Sequence, residues 1–200
     1  MKEIFGIAAL ALSLGATIPY IIEIISGKVK PERISWFLWT LLGLTYYFSA
    51  LFSGGATLFT FGELIGPAII LILAFKFGVG GKSRFDIMSL AVALAAFILL
   101  FVVDGVLFGL ILALVVDGIG AMLTIRKLLI DPTSESKWFW GINTISGIFA
   151  IMSLELYSLE NLLFPLYVVM LSLFIFIKAK STRAQHKSKL DKEMKDLGNL

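Results

Sequence analysis

The amino-acid sequence predicts an all-α integral membrane protein with seven transmembrane helices. Three observations predict it. The first is composition: 58% of the 200 residues are hydrophobic and only 16% are charged, where a soluble domain carries about a quarter charged residues. Mean hydropathy is +0.95 for a 22.0 kDa chain. A soluble domain of that size has a large water-facing skin that needs polar cover. The second is the spacing of apolar runs, each about the ~20 residues that cross a bilayer. The third is the placement of the basic residues, which fall in alternate loops.

The predicted spans run over 4–26, 35–53, 57–77, 86–103, 106–126, 138–155 and 159–178. The first is too long an apolar run for a signal peptide, and no small-x-small cleavage site follows it. It ends at Ser26-Gly27-Lys28. Ser53-Gly54-Gly55 separates the second and third spans, and the segment from Gly78 to Gly81 separates the third and fourth. Asp104-Gly105 divides a stretch, 86–126, that otherwise reads as one helix too long for a bilayer. Asp131-Pro132 and Tyr157-Ser158 set off the last two spans. Open strands are excluded, because lipid offers no partner to a bare sheet edge. Residues 179–200 are polar and basic and read as a solvated tail. The only histidine, His186, lies there, away from any site.

Orientation follows from the 17 Lys and Arg residues. Sixteen of them (Lys28, Lys30, Arg33; Lys76, Lys82, Arg84; Arg126, Lys127, Lys137; and the seven from Lys178 onward) fall on one side of a seven-span arrangement. Only Lys2 falls on the other. The predicted topology has the N-terminus outside and the C-terminus in the cytoplasm, in a prokaryotic inner membrane. The basic pI near 9.1 is therefore a topological signal, and no nucleic-acid partner is implied. The absence of Cys excludes disulfides and thiolate metal sites. No metalloprotease, nucleophile-elbow or phosphate-loop pattern occurs; Gly78-Val79-Gly80-Gly81 lacks the P-loop Lys-Ser/Thr ending. The chain is expected to be no enzyme and to need no cofactor or metal.

Spans 1–3 and 5–7 read as two copies of one unit. Pro31, Ser35 and Trp39 match Pro132, Ser136 and Trp140 at a shift of 101. Glu63 and Pro67 match Asn161 and Pro165 at a shift of 98. A three-helix unit ends on the side opposite its start, so a like-oriented second copy needs one reversing helix, which span 4 supplies. The predicted plan is 3+1+3: a first triplet over 1–78, a linker helix over 79–105, a second triplet over 106–178 and the basic tail 179–200. Parallel repeats of this kind occur in transporters, with the solute site between the halves.

With that plan, Pro19 in the first helix and the Pro-x-x-x-Ser…Trp entry to the second helix, the chain resembles the PQ-loop superfamily. This group holds the SWEET and SemiSWEET sugar carriers, cystinosin-type exporters and the KDEL receptor. The chain looks most like its small prokaryotic seven-helix members, over residues 5–178. The segment from Asp117 through Thr124-Ile125-Arg126-Lys127, Pro132, Glu135-Ser136, Trp140, Glu160-Asn161 and Pro165-Leu166-Tyr167 carries most of the likeness. The departures are specific. Pro19 is followed by Tyr20 instead of Gln, Leu123 stands where the family usually has proline, and neither second helix contains proline. The resemblance implies a small-solute carrier working by alternating access, with a sugar, amino acid or similar solute. Its alternative is a non-transporting receptor or assembly factor. It also implies that Glu63 and Asn161 stand where SWEETs place a solute-facing Asn pair.

The candidate site residues are the polar groups that lipid cannot satisfy. Asp117 lies mid-span, where a charged carboxylate costs about 2.5–3.5 kcal/mol on insertion scales. It is expected to contact solute or bind a coupling proton, or else to tie its helix to Asn143 or a tyrosine. Asn143 must face another helix or a cavity. Ser13, the repeat counterpart of Asp117, Thr17 one turn on, and Tyr46 with Tyr47 either line a pocket or serve as packing contacts between helices. Trp36, Trp39, Trp138 and Trp140 are expected in an interfacial aromatic belt, with Trp39 and Trp140 alternatively capping the site. Glu23 is expected to pair with Lys28 or Lys30 or to snorkel, and Asp104, Glu155 and Glu160 to be solvated. Pro19, Pro67 and Pro165 are candidate hinges. The expected partners are a small-molecule solute and the lipid bilayer, with room for a homo-oligomer.

Overall fold

A computed structural model describes residues 1–102 and 106–180. Those residues form seven α-helices: α1 (Lys2–Ile25), α2 (Arg33–Ser53), α3 (Thr57–Phe77), α4 (Arg84–Leu99), α5 (Val106–Ile130), α6 (Lys137–Ser153) and α7 (Leu159–Lys178). There is no sheet among the described residues. A single bridge pairs Glu32 with Val79. The expected boundary at Asp104-Gly105, the tail beyond residue 180 and His186 lie outside the described residues.

Polar residues at the breaks start four helices by accepting orphan N–H groups. The Glu32 carboxylate accepts the Ser35 N–H at the start of α2. Ser83 and Asp86 form a reciprocal capping box on α4. Ser136 and Ser158 cap α6 and α7. α2 stops at Gly54, whose φ of 69° puts it in the left-handed region that glycine enters freely. Two expected spans are shortened. α4 covers 16 residues and gives way to turns at 100–102, and α6 covers 17. α5 runs past the expected end at 126 to Ile130, because Arg126 and Lys127 extend the helix instead of ending it.

Five of the described helices are long and apolar enough to cross a membrane: Lys2–Ile25, Arg33–Ser53, Thr57–Phe77, Phe108–Ile130 and Leu159–Lys178. The distribution of side chains fits an integral membrane protein. Ile18, Ile22, Phe52, Ile72, Phe75 and Met170 are exposed on the outside of the bundle, while Ser13, Thr17, Asp117, Thr124, Asn143 and Ser146 are buried within it. Water would reverse that arrangement.

α3 packs against both α1 and α2, and α7 against both α5 and α6. α1 also packs along α6, and α2 along α5; α4 lies mainly on α5. The loops sort to two ends. At one end the Lys30 N–H donates to Ser134 O, the Arg33 N–H to Val79 O and the Lys180 N–H to Pro132 O. Three loops and the end of α7 therefore meet there, bringing the basic residues together. At the other end Lys2 Nζ donates to Glu155 O, and the Asn161 amide donates to Ser53 O and Leu156 O.

Candidate functional site

Where the helices converge there is a small internal cavity of about 40 Å³. α1 contributes Ser13 and Thr17; α2 contributes Trp39, Gly43 and Tyr46; α3 contributes Glu63, Gly66 and Pro67. Asp117 comes from α5, Phe139, Trp140 and Asn143 from α6, and Phe164, Tyr167 and Ser172 from α7. Eight of the ten residues singled out in the sequence as possible pocket residues meet here, along with one candidate hinge, Pro67. Asn161 and Tyr47 are the exceptions. Pro19 and Pro165 sit inside α1 and α7 but outside this lining.

Asp117 is buried and accepts a 2.7 Å hydrogen bond from Trp39 Nε1. Its helix is thus tied to a tryptophan of α2, not to Asn143. Glu63, partly buried, accepts a 2.7 Å hydrogen bond from Ser13 Oγ. Thr17 Oγ1 donates back along its own helix to Ser13 O at 3.3 Å. α1 and α3 lie close enough for these contacts because glycines face the two hydroxyls. A Cβ at Gly62 would come within 2.8 Å of Ser13 Oγ, and one at Gly66 within 2.9 Å of Thr17 Oγ1. Five other polar atoms of the lining have no hydrogen-bond partner among the described residues: Trp36 Nε1, Asn143 Oδ1, Tyr46 OH, Tyr167 OH and Ser172 Oγ. Such groups normally find a partner when buried.

Three expectations need correction. Glu63 and Asn161 are not a facing pair. Glu63 stands seven residues past the N-cap of α3, Ala56, whereas Asn161 stands three past the N-cap of α7, Ser158. Four residues of helix is about 6 Å of rise, so Asn161 lies a full turn nearer its helix start. There it lines a second, wider cavity of about 380 Å³ with Ser53, Gly55 and Phe59. The matched prolines thus stand at different distances from their helix starts, Pro67 eleven residues past Ala56 and Pro165 seven past Ser158. The aromatic belt is overturned for three of the four tryptophans: Trp36, Trp39 and Trp140 are buried, and only Trp138 is exposed. Trp36 sits amid Tyr20, Trp39, Phe139 and Trp140, with ring centroids 5.0–6.3 Å apart. Glu23 has no ion pair among the described residues, and its Oε2 is buried without a partner.

Two side-chain contacts flank the cavity, one toward each end. Toward the wider cavity, the rings of Tyr46 and Phe164 stack at 3.8 Å and line both spaces. Toward the basic end, Glu135 is buried and joins three helices. It accepts from Tyr20 OH of α1 at 2.9 Å and from Trp140 Nε1 of α6 at 2.8 Å, and it pairs with Lys127 of α5. Nearby, burial pushes the Glu32 carboxyl up, against the lowering effect of its hydrogen bonds from Ser35. Phe164, Tyr167, Phe139 and Glu135 were missed as site residues in the sequence. Tyr167 and Ser172 could have been found as polar residues inside an apolar span. The aromatic stacking and the Glu135 junction carry no sequence signal, since they depend on which helices meet.

Comparison with family models, curated proteins and solved structures gave no match for this chain.

Proposed function

We propose that this protein is a small-solute membrane carrier of the PQ-loop or SWEET-like kind. In this reading α1–α3 and α5–α7 are two like-oriented triplets, α4 is the reversing linker, and the basic end faces the cytoplasm. The single observation that carries the proposal is the small cavity where these helices converge. It is lined by side chains from six helices, and two acids and an amide face it. A purely structural bundle has little reason to bury unpartnered polar atoms around one space. A site with a barrier on each side is what alternating access requires.

The mechanism follows from the barriers. Parting Tyr46 from Phe164 joins the cavity to the wider space beyond it. Releasing Tyr20 from Glu135 opens the other end. As the triplets rock, one closes while the other opens, because Tyr46–Phe164 and Tyr20–Glu135 both bridge them. Asp117 holds the solute and is the candidate for a coupled proton. Purified protein in proteoliposomes tests the proposal: Asp117→Asn, which keeps the shape of the side chain, is expected to lose or alter uptake. Unchanged uptake would remove Asp117 from the mechanism.

A further inference from the structure

We infer that the central cavity takes a small organic cation, with an ammonium or guanidinium head held between Asp117 and Glu63. The inference rests on the carrier reading only for the claim that the cation is moved; binding stands on the cavity itself.

Charge comes first. Asp117 and Glu63 both face the cavity, and among its described lining residues there is no Lys, Arg or His. One oxygen of each carboxylate is fixed by a protein donor, Trp39 Nε1 for Asp117 and Ser13 Oγ for Glu63. Neither donor carries charge. An anion would find two acids and no basic partner there, and beside a neutral solute the acids stay protonated, because a low-dielectric interior does not hold an unpaired carboxylate charge. A guest cation supplies the missing charge.

The unpartnered atoms point the same way. Asn143 Oδ1 is an acceptor only, is buried, and has no donor among the described residues. The hydroxyl oxygen of Tyr46, also unpartnered, accepts as readily as it donates. An N–H-bearing cation satisfies all of these with the two carboxylates. The walls add a third feature, since Trp39, Tyr46, Trp140 and Tyr167 surround the space with aromatic rings. Ring faces attract desolvated cations. Size sets the limit. At 10–15 Å³ per water, about 40 Å³ holds roughly three waters. A small primary ammonium or guanidinium head fits, while a larger group needs Tyr46 and Phe164 to part.

The test uses pairs of probes matched in shape and differing in charge: guanidinium against urea, and ethylammonium against ethanol, all at constant ionic strength. Thermal shift of the purified full chain reads binding, and proteoliposome uptake reads transport. At least one cation is expected to bind about thirtyfold more tightly than its neutral partner, the equivalent of the roughly 2 kcal/mol of a desolvated cation–π contact. Asp117→Asn and Glu63→Gln are each expected to erase that preference. Trp39→Phe, which keeps the ring and removes the N–H, is expected to retain part of it. Equal binding within both pairs, or no cation binding to a folded protein, overturns the inference. If D-glucose accumulates in the vesicles while neither cation binds, the carrier reading stands and the cation falls. If a cation binds in this Asp117-dependent way but no probe crosses, the site stands and the carrier reading falls.

Discussion

Removing the Glu135 side chain is expected to be the most damaging single change outside the cavity. Glu135 is fully enclosed and serves three partners at once: the Tyr20 hydroxyl, the Trp140 indole N–H and the Lys127 ammonium. In Glu135→Ala the first two become buried donors without acceptors, at about 1–3 kcal/mol each. Breaking a buried ion pair by deleting one partner costs about 3–5 kcal/mol. Lys127 escapes part of that cost, because its side chain is 12% exposed and it still donates to the carbonyls of Lys30 and Ser134. The combined loss is therefore about 3–5 kcal/mol. At about 2–4 °C per kcal/mol for a chain of this length, the melting temperature falls by roughly 10 °C. Glu135→Gln keeps an acceptor for one of the two neutral donors and is expected to lose only about 1–2 kcal/mol. Unfolding of the purified protein in detergent, followed by circular dichroism, measures both. The double variant K127M/E135Q isolates the ionic share, with a coupling of about 1–3 kcal/mol. The reasoning is refuted if E135A melts within 2 °C of the parent, or if E135Q falls as far as E135A.

Three further outcomes are expected. Gly43→Ala forces α2 away from α3, because the added Cβ would sit 2.7 Å from Glu63 O and 2.9 Å from Leu64 Cα, both backbone atoms. Melting should show a loss of about 1–3 kcal/mol, and a stability equal to that of the parent would contradict the packing described. Phe164→Ala removes half of the stack over the cavity, so a cysteine introduced at Ser13 should react faster with a small thiol reagent in F164A than in the parent background. Equal rates would mean that the stack is no barrier. Asp131 accepts from the Thr133 hydroxyl and N–H, which with the nearby Lys127 and Lys30 hold its carboxyl below the usual carboxylate range. A lowered folded-state pKa stabilises the fold above the unfolded value of about 3.9 and ceases to do so as pH falls through the folded value. Asp131→Asn should therefore melt below the parent at neutral pH, and the gap should close in acid; a gap that persists below about pH 2 refutes the assignment.

The seven helices were legible because each physical cue is local. Apolar length marks a span, and Ser, Gly and Pro mark the breaks. Asp117 and Asn143 were legible for a related reason, since lipid makes every polar side chain in an apolar run conspicuous. The depth of a residue along its helix was not legible. Proline position tracks where a helix bends, whereas Ala56 and Ser158 mark where α3 and α7 begin, and the two markers differ by a turn. The role of tryptophan was not legible either. An indole near a span end reads as interfacial, but Trp39 and Trp140 turn inward because Asp117 and Glu135 accept their N–H groups. Those acceptors lie on α5 and before α6, and no local pattern reveals the pairing.

The packing of α1 on α6 fixes an order of events during synthesis. Ser146 Oγ donates to Ala9 O at 2.7 Å across 137 residues of sequence. At 5–20 residues per second, α1 waits on the order of ten seconds before that partner exists. Until then the face bearing Ser13 and Thr17 has only α3 for company, through Gly62 and Gly66. A nascent chain halted before α6 would leave the Ala9 side of α1 turned toward acyl chains, a natural mark by which quality control could tell an unfinished protein from a complete one.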